Sequence, residues 1–300
     1  MALRTFGPDI ITEKCTRCGR CVKVCPRGVL AMAAGGVGTT GEECILCAHC
    51  HDVCKFGAID FQGALRKPVY KSFPYKERVV KPGKIEPGLL VNFARSRRST
   101  RRFMDKPVPQ RTLLDLVEFA ITAPSGSNTQ NWQYTVLPTR ERVYGLAQEI
   151  GNFFAGLNAL VRNPLVRWGA VPFLGMKLVR YYRNNYESVA RRLVESNQGK
   201  DPLFYGAAAL ILVHSDGEGS MPHFDAQYAS YNMTLLAHAL ALGSCFIGYA
   251  SEAINTSGKL RRYLGIPDAH RVHAAVAFGY PDVEFYNLSL RKPHAVHLKD

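Results

Sequence analysis

Residues 15–25, CTRCGRCVKVC, and residues 44–54, CILCAHCHDVC, hold eight of the nine cysteines of this 300-residue chain. In both stretches the cysteines are separated by two, two and three residues. Zinc sites usually join two separated pairs of ligands into one tetrahedron, so four cysteines in a single run fit zinc poorly. Paired runs of this spacing are typical of iron–sulfur clusters. The repeat therefore predicts iron–sulfur binding, with zinc or free thiols as the alternatives.

Residues 8–62 resemble the two-cluster bacterial ferredoxins, through CTRCGRCVKVCPRGVL and again through CILCAHCHDVCKFGAI. In that pattern three close cysteines bind one [4Fe–4S] cluster and the fourth reaches across to the other cluster. One departure is that Cys25 precedes Pro26, as the pattern expects, whereas Cys54 precedes Lys55. The resemblance implies one cluster on Cys15, Cys18, Cys21 and Cys54 and a second on Cys25, Cys44, Cys47 and Cys50.

Residues 36–41, GVGTTG, satisfy the GxGxxG pattern of dinucleotide-binding folds. That pattern requires a strand before the loop and a helix after it. Cys44 follows too soon to leave room for the helix. We therefore interpret these glycines as the loop that joins the two halves of the cysteine-rich segment.

The composition is that of a folded protein, with 47% hydrophobic and 21% charged residues. Lysine and arginine exceed aspartate and glutamate by 38 to 24, which raises nucleic acid as a partner. We do not expect nucleic-acid binding, because no basic patch is interleaved with aromatic residues. No apolar run is long enough to span a membrane and the first residues do not resemble a signal peptide, so we expect a cytoplasmic protein with reduced cysteines.

The chain after the cysteines predicts an α+β architecture. We expect a ferredoxin-like domain over residues 1–66, a basic proline-containing linker over 67–92 and a second domain over 93–300. Residues 153–196 are rich in Arg, Tyr and Phe and are interpreted as a helical lid or interface. Hydrophobic periodicity predicts helices at residues 110–121 and 226–242 and strands at residues 134–137, 207–213 and 274–278.

Two polar segments of the second domain suggest a ligand. Residues 97–103, RRSTRRF, concentrate four guanidinium groups, which match phosphate oxygens bidentately, although a solvated charge run is the simpler alternative. Residues 123–132, APSGSNTQNW, form a small polar loop that ends in an aromatic residue and suits a flat heterocycle. Without the other segment, this loop would be interpreted as an ordinary turn.

Together these two segments resemble the FMN-dependent nitroreductase family. Residues 231–248, YNMTLLAHALALGSCFIG, resemble the long dimer helix of that family and the glycine turn that follows it. Residues 278–281, FGYP, and 291–293, RKP, resemble its last strand and basic tail. The resemblance covers residues 92–300 and implies an α+β domain with a mixed sheet flanked by helices.

The resemblance also implies site residues and a homodimer with FMN at its interface. The arginine segment and the basic tail would form the site for the phosphate and the ribityl chain. The polar loop at residues 123–132 would contact the flavin ring from the other subunit. Two backbone N–H groups would lie near flavin N5. No catalytic side chain is assigned. The residues so implied are Arg97, Arg98, Ser99, Arg101 and Arg291 for the phosphate and ribityl chain, Pro124, Ser125, Gly126 and Asn128 for the ring, and Ile247 and Gly248 for N5.

The combined interpretation is an iron–sulfur flavoprotein oxidoreductase. Two [4Fe–4S] clusters would relay electrons from a low-potential donor such as reduced ferredoxin to FMN, which would reduce a small electrophile such as a nitroaromatic compound or a quinone. NAD(P)H is the alternative electron donor. The alternatives are a ferredoxin-fed ene-reductase or reductive dehalogenase, and a non-catalytic electron carrier or redox sensor.

Overall fold

The computed structural model describes residues 7–299, which form two compact units. The first unit contains the chain up to Val69 together with the short segments Pro124–Gln130 and Gly219–Met221. The second unit contains Tyr70–Ala123, Asn131–Glu218 and the chain from Pro222 onward. Two short returning segments therefore belong to the cysteine-rich unit although they are distant from it in sequence.

The cysteine-rich unit is built from two similar halves. Each half has a short helix, and two antiparallel strand pairs complete the unit. Its core contains Leu30, Ile59 and Phe61 together with one cysteine from each run, Cys21 and Cys50. The elements are β1 (Asp9–Ile10) paired with β4 (Ile59–Asp60), β2 (Leu30–Ala33) paired with β3 (Gly36–Thr39), α1 (Arg20–Val24) and α2 (His49–Asp52).

The glycine-rich residues 36–41 were interpreted as a connecting loop, and this is wrong for the first four of them. Gly36–Thr39 is strand β3, and it forms a hairpin with β2. Glycines carry little strand propensity, so the pairing partner β2 decides the structure here and not the local sequence.

Both cysteine runs follow the same backbone path. The residue before α1 is Gly19 with φ of 67°, and the residue before α2 is Ala48 with φ of 61°. Glycine adopts this left-handed conformation freely, whereas a residue with a Cβ atom adopts it at a cost of about 1 kcal/mol. The two runs therefore share this backbone geometry, although the second run has alanine where the first has the favoured glycine.

The second unit is centred on a four-stranded sheet in the order β5 (Gln133–Leu137), β6 (Ala209–Ser215), β8 (Arg271–Gly279) and β7 (Gly243–Phe246). The ladders between these strands are antiparallel, and an isolated parallel bridge joins Ser99 to Ser244 on β7. Strand β6 is buried along its whole length, with Leu210 and Leu212 in one core and Ile211 and Val213 in the other. Helices therefore cover both faces of this sheet, as the α+β prediction requires.

The helices of the second unit include both predicted ones, at Gln110–Ala120 and Pro222–Ala239, and these predictions are confirmed. Among the described residues, no helix is long and apolar enough to cross a membrane. The helices are α3 (Pro87–Ser96), α4 (Gln110–Ala120), α5 (Arg140–Arg162), α6 (Pro164–Gly169), α7 (Val171–Leu174), α8 (Lys177–Asn184), α9 (Tyr186–Asn197), α10 (Pro222–Ala239), α11 (Gly248–Thr256) and α12 (Gly258–Leu264).

Helix α3 begins inside the segment interpreted as a linker. The Glu86 side chain accepts hydrogen bonds from the N–H groups of Gly88 and Leu89 at the start of this helix, and Pro87 occupies its first position. An acidic N-cap followed by proline is a strong helix start. The predicted linker therefore ends in ordered helical structure.

A buried carboxylate also fixes the middle of this segment. Asp115 on α4 is almost fully buried, with 1% of its surface exposed. It accepts hydrogen bonds from the Lys71 N–H at 2.9 Å, from the Ser72 N–H at 2.6 Å and from the Ser72 hydroxyl at 2.6 Å. Hydrogen bonds to a charged acceptor are stronger than neutral ones, so Asp115 holds the chain at Lys71 and Ser72 against the second unit.

We expect Asp115→Ala to lower the free energy of unfolding by about 3 kcal/mol, because two backbone N–H groups and a hydroxyl lose a charged acceptor. Urea unfolding followed by circular dichroism measures this loss. The matched control is Asp105→Ala, because the Asp105 side chain is 88% exposed and makes only a surface ion pair with Arg140. An equal effect of both substitutions would contradict the assigned role.

Candidate functional site

The eight cysteines line two separate cavities in the first unit. The two cavities are similar in size, about 350 Å³ for the first and about 320 Å³ for the second when the space open to solvent is included. The fourth cysteine of each run lies in the cavity of the other run. The first cavity is lined by Cys15, Cys18, Cys21 and Cys54, and the second by Cys25, Cys44, Cys47 and Cys50.

The fourth cysteine of each run, which lines the cavity of the other run, accepts a hydrogen bond from a backbone N–H group. The Val29 N–H donates to the Cys25 sulfur and the Ala58 N–H donates to the Cys54 sulfur, both at 3.3 Å. These two hydrogen bonds are equivalent in the repeat, although Pro26 follows Cys25 and Lys55 follows Cys54. The sequence difference between the runs thus leaves this hydrogen bond unchanged, and such donors stabilise negative charge on sulfur.

Two of the cysteines are buried among apolar groups. Burial raises the pKa of the Cys21 thiol, and it raises the pKa of the Cys50 thiol to about 11. A coordinating metal deprotonates a thiol outright, whereas a free thiol in these positions would stay neutral. The burial and the N–H donors both fit a cofactor that supplies positive charge at the centre of each cavity.

The predicted arginine cluster lines a cavity of about 660 Å³ in the second unit. Residues from two distant parts of the chain meet there, the segment before α4 and the C-terminal tail. Within residues 7–299, no carboxylate lines the cavity. The lining residues are Arg97, Arg98, Ser99, Arg101, Phe285 and Arg291.

This cavity fits a bound anion such as a phosphate group. The Nε atoms of Arg97 and Arg98 are buried without a hydrogen-bond partner among the described residues. A buried charged donor without a partner is costly, so these atoms favour a ligand that accepts hydrogen bonds. Arg97 and Arg98 are held over the aromatic rings of Tyr231 and Phe285 at 5.8 and 5.4 Å.

Backbone pairing positions both sides of the cavity. The Thr100 N–H donates to the Ser244 carbonyl of β7 at 2.9 Å, which aligns the arginine segment with the edge of the sheet. In the tail, the buried Ser289 hydroxyl donates to the Arg95 carbonyl at 3.0 Å, two residues before Arg291. These contacts explain why residues about 190 positions apart in sequence line the same cavity.

Cys245 on β7 lies next to this cavity and is buried, as expected for a structural thiol. Burial raises the pKa of its thiol group, and the nearby Arg101 and Arg97 oppose that shift. A buried thiol with a raised pKa is mostly protonated at neutral pH and is a weak nucleophile.

The polar loop at residues 124–130 belongs to the first unit. It contains a 3₁₀ turn at Gly126–Asn128, in which Ser127 and Asn128 have positive φ angles of 52° and 56°. The Ser125 hydroxyl accepts a hydrogen bond from the Gln130 N–H at 3.1 Å. Pro124 at the start of this loop is exposed.

Asn128 connects this loop to the second cysteine run. Its side-chain amide donates to the carbonyls of Ile45 and Leu46 at 3.0 and 2.9 Å. Both carbonyls lie between Cys44 and Cys47, which line the second cavity. The Asn128 amide is thus engaged within its own unit, a contact that sequence reasoning did not anticipate.

The two residues expected near flavin N5 differ in their backbone hydrogen bonding. The Ile247 N–H donates to the Ala275 carbonyl of β8 at 2.8 Å, so it is already paired within the sheet. Gly248 is the first residue of α11, and N–H groups in the first turn have no partner within their own helix. The N–H of Ile247 is therefore occupied within the sheet, and the expectation for Gly248 stays a prediction.

The histidines near the apolar strands form hydrogen-bonded pairs. His214 on β6 contacts the Thr135 hydroxyl through Nε2 at 3.0 Å and His270 through Nδ1 at 2.9 Å. His273 on β8 contacts the Ser215 hydroxyl at 2.8 Å. His238 contacts the Ser96 hydroxyl at 2.9 Å, and burial together with Arg97 lowers its pKa. These partners are consistent with structural roles.

Acid should destabilise the protein through His214. Burial and the neighbouring His270 and His273 lower its pKa to about 4, whereas an unfolded histidine titrates near 6.5. The unfolded chain therefore binds more protons between these values, and the free energy of unfolding falls as the pH drops from about 6.5 to 4. His214→Gln removes this contribution. We expect a smaller loss of stability between pH 7 and pH 5 in the variant than in the wild type, measured by urea unfolding; equal losses would contradict the prediction.

Sequence reasoning missed Phe285 and Tyr231 as partners of the arginine segment. Tyr231 lies seven residues before His238 on α10, and its role depends on where the helix packs. Phe285 lies in an irregular tail, where no periodicity marks it. A search for aromatic residues near the predicted basic tail would have found Phe285, because arginine stacks favourably on aromatic rings.

An α+β domain with an arginine-lined cavity, in one chain with a unit that has two cysteine-lined cavities, is an arrangement typical of a redox protein. Residues 94–280 match the nitroreductase family, and residues 8–31 match the 4Fe-4S binding domain. The chain belongs to the nitroreductase family. It is an oxidoreductase of that family with an N-terminal 4Fe-4S binding domain.

Two curated relatives match about two thirds of this chain over most of their own length. A 4-nitrobenzoate reductase of Nocardioides sp. is 25% identical over an alignment of 232 residues that covers 68% of this chain and 86% of the relative. An NADH dehydrogenase of Thermus thermophilus is 27% identical over an alignment of 202 residues that covers 64% of this chain and 87% of the relative. A nitroreductase of Bacteroides fragilis, solved with bound FMN, shares the fold with a TM-score of 0.54 at 20% identity, and the match covers 70% of this chain and 98% of that one.

Proposed function

We propose that this protein is an iron–sulfur flavoprotein reductase in which two [4Fe–4S] clusters relay electrons from a low-potential donor to FMN, for the reduction of a small electrophilic substrate. The observation that carries the proposal is the grouping of the eight cysteines in the first unit, where each of two cavities is lined by three cysteines of one run and the fourth cysteine of the other. This is the crossed arrangement that the ferredoxin resemblance implies for two [4Fe–4S] clusters.

The proposed cluster ligands are the four cysteines of each cavity. When bound, a [4Fe–4S] cluster accepts and releases one electron at a time. The protein's part is to supply the thiolates, to exclude water through the core residues around Cys21 and Cys50, and to donate the N–H groups of Val29 and Ala58 to sulfur. Such donors favour the more negative, reduced state of a cluster.

The proposed FMN phosphate site is the arginine cavity. Arg97, Arg98, Arg101 and Arg291 would neutralise the phosphate, and the Ser99 hydroxyl would add a hydrogen bond. When bound, FMN exchanges either one or two electrons, which suits it to couple clusters to a hydride-accepting substrate. The Gly248 N–H at the start of α11 is the proposed donor toward flavin N5.

The proposed homodimer is supported by one face of α10. Phe224, Tyr228 and Tyr231 are four and three residues apart, so they share a face of the helix, and 43–55% of each residue's surface is exposed. Exposed aromatic residues on one face favour an interface. The same helix is the one that the resemblance assigns to the dimer.

The names of the relatives favour a nitroaromatic substrate. Reduced ferredoxin and NADH are the two candidate electron donors. One relative is named a 4-nitrobenzoate reductase and another an NADH dehydrogenase. We propose reduced ferredoxin as the donor because the clusters lie in the same chain as the flavin site, which makes their encounter intramolecular. NADH is the second candidate.

The decisive experiment is anaerobic turnover of 4-nitrobenzoate with chemically reduced ferredoxin or with NADH. We expect many turnovers per flavin with reduced ferredoxin. The Cys21→Ala variant should lose most of this turnover rate, whereas the rate at which dithionite reduces its flavin directly should stay unchanged. A protein that stops after one equivalent is a carrier or sensor. Equal ferredoxin-dependent rates in the wild type and the variant would mean that the clusters do not feed the flavin.

A further inference from the structure

The segment between α5 and α9 has an unusual distribution of charge. Between Glu149 and Glu187 the chain contains no acidic residue. The same stretch contains five basic residues, Arg162, Arg167, Lys177, Arg180 and Arg183. A surface with only one sign of charge complements a partner with the opposite sign.

The same segment exposes large apolar side chains. Leu165 and Trp168 lie three residues apart on α6, so they share a face, and they are 81% and 59% exposed. Phe173 on α7 is 87% exposed. Three large apolar side chains exposed within nine residues mark an interaction surface, because scattered exposure of single residues is the normal pattern.

The cations and the apolar residues are carried by an ordered scaffold. Helix α8 places Lys177, Arg180 and Arg183 at intervals of three residues on its exposed side. Tyr181 of the same helix is partly buried, and its hydroxyl donates to the side-chain oxygen of the buried Asn158 on α5 at 2.8 Å. The exposed residues are therefore held in place and do not reflect an unfolded segment.

Arg167 ties the three helices of this surface together. Its guanidinium lies 3.8 Å from the ring centre of Tyr182 on α8 and donates to the Val161 carbonyl of α5 at 2.6 Å. Arg167 itself lies on α6. The apolar residues of α6 thus keep a fixed position beside the cations of α8.

We infer that residues 160–183, named here the basic apolar surface, dock this protein on an anionic lipid surface. Interfacial segments that lie on a membrane combine lysine and arginine with tryptophan, phenylalanine and leucine, and both are present here. An acidic protein partner would also match the charges, but side chains as exposed as Leu165 at 81% and Phe173 at 87% suit insertion among lipid chains. A second copy of the chain would bring together two basic segments that contain no acidic residue, and their charges would repel each other.

The experiment is cosedimentation of the full-length, cofactor-loaded protein with vesicles of phosphatidylcholine alone and of phosphatidylcholine with phosphatidylglycerol. We expect binding to the anionic vesicles, weakened but not abolished by added salt, since salt screens the charges and not the apolar contacts. Leu165→Ser with Phe173→Ser should lower partitioning at least about tenfold. Arg180→Gln with Arg183→Gln should lower it about fivefold for each charge removed.

The matched controls lie outside the basic apolar surface. Val79→Ser removes an apolar side chain that is 91% exposed, and Lys81→Gln with Lys84→Gln removes two exposed charges. Both controls should bind vesicles like the wild type. Sedimentation with anionic vesicles no greater than with phosphatidylcholine alone, or equal loss in variants and controls, would overturn the inference.

A fluorescence measurement gives an independent test. Trp132 and Trp168 are the two tryptophans of the chain. Anionic vesicles should shift the emission to shorter wavelength, and Trp168→Phe should remove that shift while it preserves binding. If Leu165→Ser with Phe173→Ser instead changes the oligomeric state in the absence of lipid, and the wild type shows no emission shift, a second copy covers this surface and the inference is wrong.

Discussion

Cys54→Ala is expected to remove the cluster of the first cavity, although Cys54 belongs to the second cysteine run. The reason is geometric, because Cys54 lines the same cavity as Cys15, Cys18 and Cys21. The iron content should fall from about eight to about four per chain. Iron and sulfide analysis of anaerobically purified protein measures this change, and Cys245→Ala, which alters the one cysteine outside both cavities, should retain the full content.

Two double variants separate crossed pairing from pairing within each run. Cys54→Ala with Cys18→Ala alters a single cavity, so we expect about four irons to remain. Cys54→Ala with Cys47→Ala alters both cavities, so almost no iron should remain. The reverse order of these two values would show that each run binds its own cluster.

Arg98→Ala is expected to weaken FMN binding about 10- to 150-fold. A hydrogen bond to a charged group contributes about 1.5–3 kcal/mol, and the buried Nε of Arg98 has no protein partner among the described residues. Titration of the flavin-free protein with FMN, followed by fluorescence quenching, measures the dissociation constant. Riboflavin lacks the phosphate, so it should bind the variant and the wild type with equal affinity.

Arg102→Ala is the matched control for the arginine cavity. Arg102 lies four residues from Arg98 and has an exposed side chain whose carboxylate partner, Asp282, is 3.9 Å away. It does not line the cavity. FMN affinity should stay unchanged in this control. A loss of riboflavin affinity in Arg98→Ala would mean that the substitution disrupts the ring site or the fold and not a phosphate contact.

The part of the site that could be predicted from sequence depends on local patterns. The spacing of each run predicted that its first three cysteines lie close together, and the ferredoxin resemblance implied that the fourth cysteine joins the other run, as the two cavities show. The arginine segment predicted an anion site, and the structure places Arg291 beside it through the contact of Ser289 with Arg95. Strand β6 was predicted from its apolar run because a fully buried strand needs no alternation.

The remaining features depend on pairing between distant residues. The occupied N–H of Ile247 follows from the register of β7 against β8, which no local pattern specifies. From the sequence alone, Asp115 is one of several polar residues of an amphipathic helix. Its burial follows from the docking of Lys71 and Ser72 onto α4. The contact of Asn128 with the loop between Cys44 and Cys47 joins residues more than 80 positions apart.

The cofactor content of the anaerobically purified protein tests the central claim most directly. Its visible spectrum should combine iron–sulfur absorption with that of flavin, and analysis should find about eight irons, about eight sulfides and one FMN per chain. That result would support two clusters and a flavin in one polypeptide. Zinc in place of iron, or a chain that binds iron and sulfide but no flavin, would contradict the account.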